Sequence, residues 1–423
     1  MPALRFAHLA DLHLDTPFHG IGAVDAAIQT SLAEASLQAW DRAVELCLQQ
    51  RLDFVLIAGD VYDQEEAGVR AQLRFLRGLQ RLSGAGIPVF VVHGNHDPQG
   101  GRWPAIREWP AGVTVFGHDR VEVVPVQRDG QVLALVHGMS YPVRHVTENL
   151  ALRFRRSDAP VYQIGLLHAS VGDHPEHGVY APCSLEDLRG SGLDYWALGH
   201  VHTRQTICAE APAVVYPGNL QARHPGEQGP RGFHLVEAEP GRAPRLTFQP
   251  CDLWRFATLP LDLGREPLTS VDQVAAHLVQ AALDKQGDRG LIARAEIAGA
   301  TPLHADLNRG GVRDELLRDL REQAQGAEDL WWDDLTIRTR PLQDRAKRLE
   351  AADFVGDLLR GSEARRPDAP ARVAALLAEL RTTGDLGALR QELDWDAIEA
   401  AAGDLAQQAE QLAWDLLEER ADR

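Results

Sequence analysis

A chain of 423 residues is too long for one ordinary hydrophobic core, so two or three domains are expected. Hydrophobic residues make up 44% and charged residues 25%, the balance of a soluble globular chain, and no apolar run approaches the ~20 residues needed to span a bilayer. Against 43 Lys plus Arg stand 61 Asp plus Glu, a net charge of −18, which argues against a general electrostatic grip on nucleic acid.

The first predicted strand, Leu4–Ala10, carries a histidine and runs into an aspartate, which is not a secretory apolar segment. Phe54–Ala58, Val89–Val92, Val132–Val136, Gln163–Leu167, Tyr195–Leu198 and Ala213–Tyr216 follow as short apolar strands. Helices lie between the first of them, one with Trp40, Val44, Cys47 and Leu48 on its inner face, the next with Val69, Leu73, Leu76 and Leu79. Near-continuous apolar strands alternating with helices indicate a layered α/β domain with its sheet buried, and the later strands are expected to close a second sheet as hairpins.

Around Pro250 the texture changes. Strand Phe256–Leu263, a helix capped by Ser270 with Val271, Val274, Leu278 and Ala282 on one face, strand Leu291–Ile297, helix Val312–Gln325 and strand Trp331–Thr339 read as a small separate α/β domain. After Pro341 no strand signal survives, and the stretch from Pro367 to Arg423 is rich in helix formers. Its apolar positions Ile398, Ala402, Leu405, Ala409, Leu412 and Leu416 are spaced 4, 3, 4, 3, 4, a heptad stripe, and the preceding helix carries Val373, Leu376, Leu377 and Leu380. The expected division is therefore 1–252, 253–341 and 342–423.

Five motifs carry chemistry: Asp11-Leu-His13, Gly59-Asp60-Val-Tyr-Asp63, Gly94-Asn95-His96-Asp97, His168, and Gly199-His200-Val-His202. Each falls just past the carboxyl end of a predicted strand, the edge where ligands bind in open α/β sheets. Imidazoles mixed with carboxylates and one amide oxygen suit divalent ions such as Mn²⁺, Fe²⁺ or Zn²⁺, and the absence of cysteine ligands argues against a structural zinc knot. The donors are too many for one ion and fit two ions sharing a carboxylate, an arrangement that clamps both oxygens of an in-line displacement at phosphorus. Glycines before Asp60, Asn95 and His200 are expected to allow sharp turns.

The order DxH, GDxxD, GNHD, H, GHxH resembles the calcineurin-like metallophosphoesterase superfamily, with every element present between Asp11 and His202. The resemblance implies a layered metallophosphoesterase β-sandwich flanked by helices. It also implies that Asp11, His13, Asp60 and His202 hold one metal and Asp60, Asn95, His168 and His200 the other, with Asp60 bridging. His96 would then be the unliganded histidine that stabilises the transition state and protonates the leaving oxygen, with Asp97 orienting it. The runs Ala10–Phe18, Tyr180–Leu188, Tyr195–His202, Tyr216–Gln221 and Arg223-His224 are similar to YhaO/SbcD-type bacterial DNA-repair exonuclease subunits. That likeness implies a DNA nuclease, two Mn²⁺ ions, a small cap domain followed by helices, an SMC-like coiled-coil ATPase partner, and possible homodimers. In many related nucleases histidine stands where this chain has Asp63, which leaves the role of that carboxylate open.

Outside the motifs, His8, His93, His118, His137 and His145 read as structural or solvated, and His174 and His177 as part of a polar loop. Arg153, Arg155 and Arg156 form the most basic short run of the first domain, a phosphate track or a solvated face. Trp331 and Trp332 are base-stacking candidates of which at least one belongs to the core. Cys47, Cys183, Cys208 and Cys251 are scattered, without a CxxC pair, and with the first strand point to the reducing cytoplasm. A DNA exo/endonuclease, a small-molecule phosphoesterase and a non-catalytic scaffold remain as readings; the intact ligand set argues against the last, and the long C-terminal part against a minimal small-molecule enzyme.

Overall fold

A computed structural model describes residues 4–382 apart from 23, 25, 64–67, 100–105, 107, 173–179, 267, 325–328 and 343–344, together with 409, 410, 413 and 417. In chain order come β1 (Leu4–Leu9), α1 (Ala26–Leu48), β2 (Phe54–Ala58), α2 (Val69–Gly84), β3 (Val89–Val92), β4 (Val113–Val115), β5 (Glu122–Arg128), β6 (Gln131–Gly138), β7 (Tyr162–His168), α3 (Leu185–Gly190), β8 (Tyr195–Gly199), β9 (Gln205–Cys208), β10 (Ala213–Tyr216), β11 (Gly232–Ala238) and β12 (Arg245–Pro250). They are followed by β13 (Trp254–Asp262), α4 (Val271–Gln286), β14 (Gly290–Thr301), α5 (His304–Leu307), α6 (Val312–Ala324), β15 (Leu330–Pro341), α7 (Arg345–Glu350), α8 (Phe354–Arg365) and α9 (Ala369–Thr382). The chain packs as two compact units, residues 1–299 with 305–339 and residues 300–304 with 340–423.

Two six-stranded sheets dominate the first unit, in the orders β12-β11-β1-β2-β3-β4 and β5-β6-β7-β8-β10-β9. Strands β1 to β4 run parallel, as do β6, β7, β8 and β10. The expected closure of the second sheet by hairpins therefore holds only at its edges, where β5 and β9 pair antiparallel. Its centre is parallel, because the segments after β6 and β7 cross over and bring each next strand in from the same end.

Alternation along the strands sets the layers. Phe6, Phe54, Leu56, Phe90, Ile164, Leu166, Tyr195 and Ala197 fill the space between the sheets. On the other face of the first sheet, Val55, Ile57, Val89 and Val91 pack on Trp40, Val44, Cys47, Phe75 and Leu79 of α1 and α2. On the far side of the second sheet, Trp196, Leu198 and Tyr216 meet Leu150, Phe154 and Leu188. All five residues of β2 are buried because both faces of its sheet are covered, which is why it reads as an unbroken apolar run.

The face of α2 differs from the expected one. Val69 is 47% exposed and Leu73 39%, while Ala71, Gln72, Phe75, Gly78, Leu79 and Leu82 turn inward. Small residues on that face let α2 lie close to α1: a Cβ at Gly78 would stand 2.4 Å from Trp40 Nε1. Leu counting favoured the wrong stripe because the close approach is made by residues with little or no side chain.

A third sheet, β13-β14-β15, completes the unit, with β13 and β14 parallel and α4 and α6 packed together. Ser270 caps α4 by accepting from the Gln273 amide, as its sequence suggests, and Val274, Leu278 and Ala282 are buried. Trp332 lies in the core; Trp331 is half-buried beneath the Arg321 guanidinium at 4.5 Å. Trp254, Phe256 and Ile292 of this sheet pack with Leu32 and Ala35 of α1.

The second unit is helical in its described part beyond residue 341. Val355 and Leu359 of α8 pack with Leu349 and Leu417, and Ser362 donates to the Glu410 carboxylate. Ala409, a position of the expected heptad stripe, is exposed, and Leu376 of α9 is exposed while Leu377 is buried. Ile398, Ala402, Leu405, Leu412 and Leu416 lie outside the described residues, as do His174 and His177. No described helix is long and apolar enough to cross a membrane.

The register of α2 is testable by chemical denaturation. Leu73→Lys is expected to change stability by less than about 0.5 kcal/mol, and Phe75→Ala to lose about 3–5 kcal/mol. A large loss at Leu73 would restore the expected face.

Candidate metal centre

The loops that follow β1, β2, β3, β7 and β8 bring Asp11, His13, Asp60, Asn95, His168, His200 and His202 to one rim, where the carboxyl ends of the two large sheets meet. Backbone bonds lock the first two loops together: Asp11 N donates to Gly59 O at 3.1 Å, His13 N to Asp60 O at 3.0 Å and Leu14 N to Val61 O at 2.9 Å. The result is left-handed backbone at Asp11 (φ 50°), His13 (φ 42°) and Asp60 (φ 49°), and a positive φ of 106° at His200. Non-glycine residues hold such angles only where their surroundings over-determine them.

Of the three motif glycines, only Gly59 needs its left-handed angle, φ 87°. Gly94 and Gly199 serve close approach instead. A Cβ at Gly94 would fall 2.3 Å from Asp60 Oδ1 and 2.8 Å from His168 Nδ1, and one at Gly199 would fall 1.9 Å from Ala58 O. His168 is thus boxed in by glycines, and its Nδ1 donates to Ala58 O across the sandwich at 2.9 Å.

Proton placement decides what the site can bind. His13 Nδ1 lies 3.1 Å from Asp63 Oδ1 and His202 Nδ1 lies 2.7 Å from Glu227 Oε1. Carboxylates only accept, so both Nδ1 atoms carry protons. Arg223 Nη2 stands 3.2 Å from the same His202 Nδ1, but a 2.7 Å approach of ring nitrogen to carboxylate is attractive only with the proton between them. Burial pushes the His13 imidazole down to about 3, with the Arg223 guanidinium adding to the effect, and burial lowers His202 as well. Both rings are therefore neutral, and their Nε2 lone pairs face each other at 3.1 Å. Two lone pairs at that distance repel unless a Lewis acid lies between them.

His168 tells the same story from the other side. With Nδ1–H on a carbonyl, its Nε2 stands 2.9 Å from Asn95 Oδ1 and 3.3 Å from Asp60 Oδ2, two acceptors. Burial opposes charge on this ring, yet the Asp60 and Asp11 carboxylates outweigh it and raise the imidazole to about 9. Burial also pushes Asp11 up to about 7, although His168 opposes the rise. The neutral His13 and His202 rings, an amide oxygen and two buried carboxylates fit divalent cations, which would supply the positive charge that a proton on His168 otherwise brings. Asp11 with His13 and His202, and Asp11 with Asp60 and His168, offer donor atoms that converge within 4.8 Å. His200 stands beside them, its ring 5.4 Å from that of His168 and 5.5 Å from that of Tyr180, while its amide donates to both Asp11 oxygens at 3.0 and 3.1 Å.

His96 sits at the edge of the cluster, its ring 5.0 Å from that of His13. Its Nδ1 donates to Asp63 O at 2.8 Å and lies 3.5 Å from Asp63 Oδ1, and its amide donates to Asp60 Oδ1 at 2.9 Å. The contacts to the His96 ring nitrogen are thus made by Asp63, not by Asp97 as expected. Asp97 accepts from Val61 N at 2.9 Å and Gly94 N at 2.8 Å and pairs with His93 Nδ1 at 3.2 Å, so it binds the loop after β3 to the loop after β2. Adjacency in sequence misled here, because the turn after Asn95 sends neighbouring side chains to opposite sides.

The arginine run is placed away from this rim. Arg156 is held by Asp194 Oδ2 at 2.7 Å and Val161 O at 3.1 Å, residues that precede β8 and β7, whereas the metal donors follow those strands. Six residues of strand, roughly 20 Å, separate the two ends. Arg153 is paired with Glu148, and Arg155 donates to Phe154 O at 2.7 Å. Arg153 and Arg156 are thus held by local carboxylates, with Arg156 beyond the strand ends opposite the donors.

Sequence reasoning missed Glu227 and Arg223 as functional groups. Arg223 Nη1 donates to Asp63 Oδ1 at 2.7 Å, and the Arg223 amide to Glu227 Oε2 at 2.7 Å. Arg223 stood in a run already singled out, but Glu227 lies in an irregular loop where no periodicity marks it.

Residues 4–204 match the calcineurin-like phosphoesterase family, and residues 256–340 match the middle domain of metallophosphoesterase YhaO. The chain is 36% identical over 331 residues to the uncharacterized metallophosphoesterase YhaO of Bacillus subtilis, covering 78% of this chain and 80% of that protein. It is 29% identical over 248 residues to the DNA double-strand break repair protein Mre11 of Haloferax volcanii, 56% of this chain and 52% of that one. With a subunit of the nuclease SbcCD of Bacillus subtilis it shares 24% identity over 277 residues, 56% of this chain and 67% of that one. The chain belongs to the calcineurin-like phosphoesterase family, whose members hydrolyse phosphoesters with divalent metals.

Because a Cβ at position 94 would collide with both Asp60 and His168, Gly94→Ala is expected to lose most bound metal while the sandwich stays folded. Elemental analysis of the purified variant beside wild type, with circular dichroism for the fold, is the check; a fully loaded variant would mean that the glycine only eases a turn.

Proposed function

We propose that this member of the calcineurin-like phosphoesterase family is a two-metal, Mn²⁺-dependent DNA exo/endonuclease that works in DNA repair in the cytoplasm beside an SMC-like coiled-coil ATPase. The observation that carries the two-metal part is the pair of opposed Nε2 lone pairs of His13 and His202 beside a second convergent set around His168. DNA as substrate is supported by the likeness to the Mre11 and SbcCD nuclease proteins, whose names give their roles. In this reading residues 1–252 are the nuclease domain, 253–341 the cap and 342–423 the region that docks on the ATPase.

Asp11, His13, Asp60 and His202 would hold one ion and Asp60, Asn95, His168 and His200 the other. Such a pair supplies Lewis acidity to the phosphoryl oxygens and clamps the entering and leaving oxygens in line. The chain's own part in the reaction falls to His96. Its Nδ1–H is fixed on Asp63 O, so Nε2 is the atom that exchanges a proton with the leaving oxygen. The Asp63 carboxylate 3.5 Å away stabilises the imidazolium that must exist before transfer.

A second reading, a small-molecule phosphodiesterase, is favoured by the charge. The net charge is −18, and both Arg153 and Arg156 are neutralised by local carboxylates. The two readings separate in one experiment: Mn²⁺-dependent hydrolysis of end-labelled linear DNA against a chromogenic diester. It is run with the full chain and with a chain ended after Pro370, each with and without the ATPase. The nuclease reading expects DNA cleavage by the full chain, stimulation by the ATPase, and loss of stimulation and co-purification on truncation with diester activity retained. Cleavage of the diester but not of DNA in every arm would select the second reading.

His96→Asn should keep both ions and lose roughly 10²–10⁴-fold in rate. A metal-poor variant would instead make His96 a ligand.

A further inference from the structure

We propose that Glu227 is a positioning residue for His202 and, through it, sets the affinity of the Asp11–His13–His202 position for its metal. It lies in the loop between β10 and β11, more than twenty residues from any metal-ligand motif.

Glu227 is 5% exposed, and both of its oxygens are committed. Oε1 accepts from His202 Nδ1 at 2.7 Å and stands 3.4 Å from His224 Nε2. Oε2 accepts from Asn219 Nδ2 at 3.0 Å and from the Arg223 amide at 2.7 Å. These bonds fix the carboxylate in one orientation behind His202. A fixed carboxylate acceptor on Nδ1 settles the tautomer of His202 and pushes electron density toward Nε2, the donor atom.

The same device recurs on the facing ring. His13 Nδ1 is held by Asp63 Oδ1 at 3.1 Å, and Arg223 closes the circuit by reaching Asp63 with Nη1 and Glu227 with its backbone amide. The circuit runs Glu227, His202, His13, Asp63, Arg223 and back to Glu227. Both imidazoles of this position are therefore backed by carboxylates.

The other set is backed differently at His168, whose Nδ1 donates to the carbonyl of Ala58, a neutral acceptor. Asp11 converges with both sets of donors, so the carboxylate behind His202 is what a change at Glu227 takes from one position alone.

This inference rests on the two-metal reading, which the wild-type titration tests by itself; the ratio of variant to wild type tests Glu227. Mn²⁺ is titrated into metal-depleted full-length protein, and free Mn²⁺ is followed by electron paramagnetic resonance, with no substrate present. Wild type is expected to fill in two steps. Glu227→Gln is expected to weaken one step 10–100-fold and leave the other unchanged, because either face of the amide sets a donor against a donor or removes the carboxylate behind His202. His168→Asn should remove the step that Glu227→Gln leaves unchanged. Since Glu227 also braces its loop, Asn219→Ala serves as the second variant: it deletes the bond from Asn219 Nδ2 to Glu227 and the bond from Arg231 Nη1 to Asn219 Oδ1 and keeps the His202 contact, so both steps should match wild type. Three results would overturn the proposal: unchanged affinities in Glu227→Gln, loss confined to the step that His168→Asn removes, or an equal loss in Asn219→Ala, which would make Glu227 a loop strut.

Discussion

The hydrogen bond from His168 Nδ1 to Ala58 O is the constraint on which the rest of the structure depends. It joins the carboxyl ends of β2 and β7, strands of different sheets, at a place where sandwiches ordinarily keep side chains between their backbones. The approach is possible because Gly59, Gly94 and Gly199 present no Cβ to the ring. Once the sheets meet there, five loops are forced onto one rim, and their polar side chains have nowhere to point except at one another. The metal centre is in this sense a consequence of how closely the two sheets are drawn together.

Drawing so many acceptors together is unfavourable without cations. Asp11 and Asp60 are buried, and a buried unpaired carboxylate is one of the larger penalties a fold can carry. Here the protein places backbone donors on them, from His200 to Asp11 and from His96 to Asp60, and leaves the remaining attraction to ions. The outer carboxylates Asp63 and Glu227 are handled differently: Arg223 meets one by its guanidinium and the other by its amide. The overall excess of acid in the chain therefore says little about the field at the rim, where bound divalent ions would add positive charge.

How much of this was legible in the sequence depends on what kind of constraint each residue answers to. Strands β2, β3 and β10 were readable to the residue, since burial on both faces leaves only apolar side chains. Strands β4, β5, β9, β11 and β12 were missed: four of them are edge strands whose part-exposed residues look like loop, and β11 is an inner, buried strand in which Gly232, His234 and Glu237 break the apolar run. That Asp11, His13, Asp60, His168 and His202 would come together was legible because divalent-metal chemistry admits few residue types, whatever the fold around them. Asp97 was misassigned and Asp63 left without a role because side-chain direction after a tight turn cannot be counted along the chain. Glu227 was invisible for a related reason: a carboxylate acting through another residue carries no spacing rule. The position of the arginine run was not legible because local density of charge gives no place along a strand, and Arg156 lies beyond the end opposite the donors.

The third sheet bears on the centre through the segment that follows His13. Phe18 packs on Phe256 with ring centres 5.8 Å apart, Gly22 N donates to Asp333 Oδ1 at 2.7 Å, and Arg294 bridges Asp333 and the Gly20 carbonyl. At its other end the segment reaches the site, where His19 N donates to Arg223 O at 2.8 Å. Left-handed angles at Asp11, His13 and Asp60 are of the kind that stand roughly 1–3 kcal/mol above ordinary backbone, and they persist only if the chain on both sides is held. Upstream, β1 holds it within the first sheet; downstream, the described residues form no helix or strand before α1, only the bridge of Leu14 to Tyr62. The buried Asp333 carboxylate, gripping a backbone amide on one side and Arg294 on the other, supplies the missing anchor. Seen this way, the third sheet contributes to the metal centre although it brings no ligand to it: it fixes the far end of the loop whose near end carries Asp11 and His13.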